Sequence, residues 1–145
     1  GDMVYVDLGG RYMGYYSDIS RQRVCGEPTL EQRQFMETQI ATVESVTGAA
    51  RAGVVIADLA EIGLRMAREA GCERDFYFRG HGVGCAVQDL PAFAPGNPAA
   101  LVENMVIAIE PMLVRQGLGT ACWDDMWRVT ASGMERLNRC PIRWW

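Results

Sequence analysis

Two of the most strand-like runs in this chain carry a carboxylate inside them, which limits how the chain can fold. Met3-Val4-Tyr5-Val6-Asp7-Leu8 is short, apolar and rich in β-formers, and Asp7 sits within it. Val106-Ile107-Ala108-Ile109 runs directly into Glu110, with Pro111 behind it. Burying a carboxylate is costly unless a partner or a cation meets it. A fold that uses these runs as strands must therefore bring positive charge to Asp7 and Glu110. Alternation puts Val4, Val6 and Leu8 on one face of the first strand, and Tyr5 and Asp7 on the other.

The chain offers a single histidine, His81, within Phe78-Arg79-Gly80-His81-Gly82-Val83-Gly84. Glycine on both sides lets the backbone bend tightly and approach a ligand closely. Asp18 and Asp124 add two more acidic residues in or beside apolar segments. Carboxylates that converge without a cation repel one another and resist ionisation, and one imidazole does not offset the whole set. A pair of divalent metals does, and this donor set suits Mn²⁺, Fe²⁺, Co²⁺ or Zn²⁺ better than a soft thiolate site would. The residues also leave a plainer reading open: Asp18 caps a turn, Asp124 or Asp125 is solvated, and His81 is a satisfied structural histidine. The glycine-rich run is not a phosphate loop, because no Lys-Ser/Thr follows it.

Residues 15–23 read as a return strand that makes a hairpin with Met3–Leu8, placing Asp7 and Asp18 opposite or diagonal to each other. Pro28-Thr29-Leu30-Glu31-Gln32 predicts a helix start, with Thr29 as N-cap and Gln32 as its reciprocal partner. Met36, Ile40, Val43 and Thr47 carry that helix to about Ala50. A second helix is expected over 57–70, with Leu59, Ile62, Met66 and Ala70 buried and Gly71 at C′. Residues 75–78 form a strand into the histidine turn, and 91–101 a loop. Residues 105–114 form a β run broken at Glu110-Pro111, and 127–130 a last strand. The pattern ends at Leu137, and Pro141-Ile142-Arg143-Trp144-Trp145 reads as an interface strip or a sheet edge. A hairpin, two helices and then several strands predict an α+β domain with helices on one sheet face.

Hydrophobic residues make up 49% and charged residues 22%, which describes a folded domain. The formal charge is −4 with basic residues scattered, so no nucleic-acid surface is expected. No apolar run reaches about 18 residues, the length of a membrane span. The 5 cysteines are odd in number, widely spaced and without C-x-x-C. That argues against a disulfide scaffold and for a reducing, cytoplasmic compartment. Cys85 and Cys122 fall near the candidate site and read as small packing residues. The chain opens on Gly1-Asp2 without a methionine and reads as a piece of a longer polypeptide.

Several short pieces then occur in one order over essentially the whole chain. They are Val6-Asp7-Leu8-Gly9, Tyr15-Tyr16-Ser17-Asp18-Ile19-Ser20-Arg21, Gly80-His81-Gly82-Val83-Gly84, Ile109-Glu110-Pro111, and Asp124-Asp125 before Val129-Thr130 and Gly133-Met134-Glu135-Arg136-Leu137. The ordered set resembles the M24 family of metallopeptidases, the group of methionine aminopeptidase, prolidase and aminopeptidase P. The resemblance implies a pita-bread fold, a curved antiparallel sheet with helices on its outer face. Residues 1–145 would be the C-terminal part of that catalytic domain, with its N-terminal portion missing.

The resemblance further implies two divalent metal ions (Mn, Co, Zn or Fe) held by Asp7, Asp18, His81, Glu110 and Asp124. Asp18 would bridge the ions, and Asp124 stands where the family has a bridging Glu. His81 and Glu110 would be catalytic, with Glu110 accepting the proton of the attacking water. The implied activity is hydrolysis of an N-terminal amide bond in a peptide or dipeptide, as in an Xaa-Pro dipeptidase or aminopeptidase. The implied substrate is a small peptide or amide; the aromatic C-terminus and the truncated start lead to the expectation of a homodimer through the complete domain, and composition to that of no nucleic-acid and no membrane partner. Two departures keep other readings open. Asp124 is one methylene shorter than Glu, and Gln88 occupies the place of a second histidine, where an amide cannot shuttle protons near pH 7. A metal-dependent lyase or non-peptidase hydrolase on the same fold, or a truncated binding domain, are the alternatives. Asp125 is expected to point away from the site. Tyr12, Tyr15, Tyr16 and Trp123 are candidate pocket walls, with core filling as their competing role.

Overall fold

A computed structural model describes residues 1–142; the last part of the C-terminal tail, 143–145, for which an interface strip or sheet edge is expected, lies outside the described residues. The expected hairpin is present, but its second arm is divided. β1 (Met3–Leu8) is followed by β2 (Arg11–Tyr12) and β3 (Tyr15–Tyr16), which pair with each other, and then by β4 (Ile19–Val24). β4 returns antiparallel along β1, setting Met3 against Val24 and Asp7 against Ser20. The Ser17 N–H donates to the Gly10 carbonyl at 2.8 Å, which closes the small hairpin and takes Ser17-Asp18 out of the ladder. Asp18 thus lies two residues from the partner of Asp7, diagonal rather than opposite.

α1 (Leu30–Ala49) begins on the predicted capping box. The Gln32 N–H donates to Thr29 Oγ1 at 3.2 Å, and the Thr29 N–H donates to Gln32 Oε1 at 2.9 Å. α2 (Ile56–Glu69) ends in a Schellman turn. The Cys72 N–H donates to the Ala67 carbonyl at 2.7 Å, and Gly71 adopts φ +68°. The buried stripe of α2 differs from the expected one: it is Ile56, Leu59, Ala60, Gly63 and Ala67, while Ala70 is exposed. The reason is close packing. A Cβ on Gly63 would lie 2.8 Å from the Phe76 ring, so the helix presents its small residues there and turns Ile62 and Met66 to the flank.

The second half supplies β5 (Phe76–Tyr77), β6 (Gly80–Gly82), β7 (Val106–Ile109), β8 (Met112–Arg115), β9 (Gly119–Ala121), β10 (Met126–Val129) and β11 (Met134–Arg136). One antiparallel sheet runs β11-β10-β7-β6 and another β5-β8-β9. The chain passes from the first to the second at Glu110-Pro111, where the proline, lacking an N–H, interrupts the ladder. β9 and β11 fall outside the expected strands: Gly119-Thr120-Ala121 carries little β signal, and Met134-Glu135-Arg136 follows the stretch 127–130 that is expected to be the last strand.

Both helices cover one side of the sheets. Val46, Ile56, Leu59, Phe78, Phe93, Ile107, Ile109 and Val129 form one buried cluster, and Phe35, Met36, Val24 and Leu113 a second. Each such side chain contributes about 1.5–3 kcal/mol by leaving water. One buried polar contact ties this layer to the opposite face. Gln39 Nε2, on α1, donates to the Pro111 carbonyl at 2.8 Å and to the Trp123 carbonyl at 3.0 Å. Those carbonyls flank Glu110 and Asp124. Gln39→Leu is expected to lower stability by about 2–3 kcal/mol, because two buried acceptors lose their donor; urea denaturation measures this. No described helix is long and apolar enough to cross a membrane.

Candidate metal centre

Strand alternation and register bring the acidic residues together. Ile107 and Ile109 of β7 enter the helix-side core, so Ala108 and, beyond it, Glu110 face the other way. His81 pairs with Ala108 from β6, and Met126 pairs with Ala108 from β10. Two residues before Met126 stands Asp124, which bridges to Ser20 of β4. Ser20 shares its side of β4 with Asp18 and is paired with Asp7 of β1. Ser20 and Asp124, 104 positions apart in the chain, thus reach one face.

The glycines around His81 allow this approach. A Cβ on Gly82 would lie 2.3 Å from the Leu90 carbonyl oxygen, and one on Gly80 2.5 Å from that of Ala108. The Gly82 N–H donates to the Asp89 carbonyl at 2.9 Å, folding residues 82–91 back over the histidine. Gln88 is brought in by this fold and lines a cavity of about 240 Å³ with Arg79, His81, Phe93 and Glu110.

His81 Nε2 lies 3.3 Å from Asp18 Oδ2 and 3.5 Å from Glu110 Oε1, all three residues being buried. His81 Nδ1 lies 2.9 Å from the Gly82 carbonyl and donates to it. That fixes the ring and leaves Nε2 to face the carboxylates, as a metal-ligating histidine requires. Burial opposes the imidazolium, but the Asp18 hydrogen bond, the Gly82 carbonyl and the Glu110 charge outweigh it and raise the His81 pKa. Burial raises the Glu110 pKa against the pull of Arg79 and His81. Asp124 is pushed up to about 7, first by burial and then by the charges of Asp18, Glu110 and Asp7.

Asp124 is 1% exposed. Its Oδ1 accepts the Ser20 N–H at 3.1 Å, and its own N–H donates to Ser20 Oγ at 3.0 Å. Its Oδ2 is buried without a hydrogen-bond partner among the described residues. Donor atoms of Glu110, Cys122 and Asp124 lie within 4.8 Å of one another. Glu110 therefore belongs to two clusters, one with Asp18 and His81 and one with Cys122 and Asp124. An oxygen-rich set with an orphaned buried carboxylate oxygen and reluctant acids fits divalent cations.

Asp7 departs from the expectation of a buried carboxylate. It is exposed, although its strand is apolar, because the end of β1 is uncovered among the described residues. The Tyr5 hydroxyl donates to Asp7 Oδ2 at 3.0 Å. Partial desolvation raises the Asp7 pKa, Tyr5 works against this, and the nearby Asp18 adds to it.

The plainer reading of Asp124 or Asp125 as solvated does not hold for either. Asp125 points away from the candidate centre, as expected, but it is fully buried. It accepts from Arg21 at 2.8 Å and from Arg136 at 2.5 Å. Arg21 also donates to the Asp124 carbonyl at 2.8 Å, so this clamp sets the backbone that carries Asp124. Asp125→Ala is expected to destabilise the fold by about 2–4 kcal/mol, below the worst case for a broken buried pair because both arginines keep some access to water; the denaturant midpoint reports it.

Residue-by-residue reading missed Arg79, Tyr5 and Ser20 as site components. Arg79 Nη2 lies 3.7 Å from Glu110 Oε1. Parity along the strands could have found the other two, since Tyr5 shares a face with Asp7 and Ser20 with Asp18. Among the candidate wall residues, Trp123 fills the core, whereas Tyr12 is 79% exposed and Tyr15 is also exposed.

The sequence matches the model of metallopeptidase family M24 over residues 1–131. It is 33% identical over 141 residues to an Xaa-Pro dipeptidase of Pyrococcus furiosus, covering 96% of this chain and 40% of that protein. It is 34% identical over 143 residues to a probable dipeptidase, PepE, of Mycobacterium tuberculosis, covering 97% and 38% respectively. The crystal structure of an X-Pro aminopeptidase from Thermotoga maritima superposes with a TM-score of 0.95 at 29% identity, over 99% of this chain and 41% of that one. The chain spans about 40% of the length of the curated relatives it matches.

Proposed function

Because the chain belongs to metallopeptidase family M24 and carries its pita-bread fold, we propose that it forms part of a two-metal hydrolase acting on small peptides, with Xaa-Pro dipeptides as the first substrate class. Asp7, Asp18, His81, Glu110 and Asp124 are the proposed ligands. The observation that carries this reading is the shared position of Glu110, 3.5 Å from His81 Nε2 on one side and within 4.8 Å of Asp124 on the other.

Bound divalent ions would supply Lewis acidity, polarising the scissile carbonyl and acidifying the attacking water. The residues do the rest. Glu110, buried and reluctant to ionise, lines the cavity with His81 and is placed to take a proton from water and return it to the leaving nitrogen. His81 is held in one orientation by Gly82. Gln88 offers an amide N–H to a substrate oxygen but moves no proton. Arg79 gives the same cavity a positive wall. A homodimer of the complete domain in a reducing, cytoplasmic compartment belongs to this proposal.

The test is to incubate the full polypeptide with Mn²⁺, Co²⁺ or Zn²⁺ and a panel of Xaa-Pro dipeptides and to separate the products. Free proline in the presence of metal is the expected result. Elimination products instead would make the protein a lyase, and bound metal without any turnover would make it a binding domain.

A further inference from the structure

The sequence alone treats Cys122 as a small packing residue, yet its surroundings are polar. Sγ lies 3.8 Å from Ser20 Oγ. Donor atoms of Glu110 and Asp124 stand within 4.8 Å of it and of each other. Cys122 and Asp124 are two residues apart along an extended segment, so both point to the site while Trp123 between them enters the core. An apolar filler needs none of these neighbours. The second observation is independent of the cysteine: Asp124 Oδ2 is buried and unpartnered among the described residues.

We propose that Cys122 is a thiolate ligand of the ion held beside Asp124, so that this half of the centre selects a thiophilic divalent cation. The proposal rests on the metal-centre reading above and adds a donor to it. On binding, the metal–sulfur bond replaces the S–H bond and the proton leaves to solvent. A metal–sulfur bond of about 2.3 Å is longer than a metal–carboxylate bond of about 2.0–2.2 Å. It brings a strong donor to the side where the carboxylate arm of Asp124 is short. Sulfur ligation favours Zn²⁺, Co²⁺ or Fe²⁺ over Mn²⁺ at that position.

Cobalt titration of the metal-depleted protein tests this without measuring turnover. The expected result is a sulfur-to-cobalt charge-transfer band in the near ultraviolet that saturates together with the cobalt d–d bands. It should vanish in Cys122→Ser and Cys122→Ala and persist in Cys85→Ser. Zinc affinity should fall at least about tenfold in Cys122→Ser, with manganese affinity within about twofold of wild type. Bound cobalt without the charge-transfer band, or a band that survives in both Cys122 variants, would overturn the thiolate and leave the metal centre standing. No cobalt uptake at all would overturn both.

Discussion

Glu110→Gln is expected to slow metal-dependent peptide hydrolysis by about 10³-fold while the fold persists, because a positioned acid–base group contributes roughly 10²–10⁴-fold. The substitution conserves shape at a buried position. It removes the one carboxylate that borders both clusters and keeps an amide that accepts no proton at neutral pH. The loss should fall on kcat, since Glu110 acts on the reacting atoms rather than on remote parts of the substrate. The metal-free variant should be at least as stable as wild type, because burial already disfavours the Glu110 charge. Steady-state kinetics alongside thermal unfolding check both points. A variant that hydrolyses peptides at the wild-type rate would remove Glu110 from the mechanism.

The second large effect is on stability. Metal-free protein is expected to lose about 2–4 kcal/mol of stability between pH 5 and pH 8, at roughly 1.4 kcal/mol for each unit by which a pKa differs between states. Asp124 is raised from an ordinary 3.8 to about 7. Near and below pH 3.8 both states hold the proton and the group contributes nothing. Between the two values the folded chain keeps a proton that the unfolded chain has lost, so stability falls as pH rises. Above 7 the full penalty is present. Glu110 and Asp7 are raised as well and act in the same direction. His81 is raised above its ordinary 6.5, so its stabilisation is complete below that value and is lost as pH climbs through the folded one. All these groups therefore weaken the metal-free fold toward alkaline pH.

A divalent cation reverses the trend, since it binds the deprotonated ligands. At 1,000 times its Kd it adds about 4 kcal/mol, or roughly 10 °C in Tm for a chain of this size, at pH 8 and much less at pH 5. Thermal unfolding with EDTA and with Mn²⁺ across this range measures it, and Asp124→Asn should flatten the EDTA slope. A flat EDTA profile in wild type would mean that the carboxylates do not converge as described.

Much of this could be read locally. The Thr29–Gln32 capping box, the Schellman glycine at Gly71 and the break at Glu110-Pro111 each depend on a few neighbouring residues, and each formed as expected; the run about His81, expected as a turn, instead pairs as strand β6 with β7. The ordered family pieces added the pita-bread architecture. The departures arise where distant packing decides. The buried stripe of α2 moved because Phe76 presses on Gly63. Asp18 left the ladder because Ser17 bonds back to Gly10. Ser20 became the partner of Asp124 across 104 positions, a register that no local pattern encodes. Arg79 and Cys122 take their character from what surrounds them, and their own side chains announce only a charge and a thiol.

The central claim is that Asp7, Asp18, His81, Glu110 and Asp124 share two cations. An anomalous-difference map from crystals of the full polypeptide grown with Mn²⁺ or Zn²⁺ tests it most directly. The account predicts two peaks in this cluster, one beside His81 Nε2 and one beside Asp124 Oδ2, with Glu110 adjoining both. Density showing these carboxylates without a cation at saturating metal, or ions bound elsewhere on the chain, would contradict it.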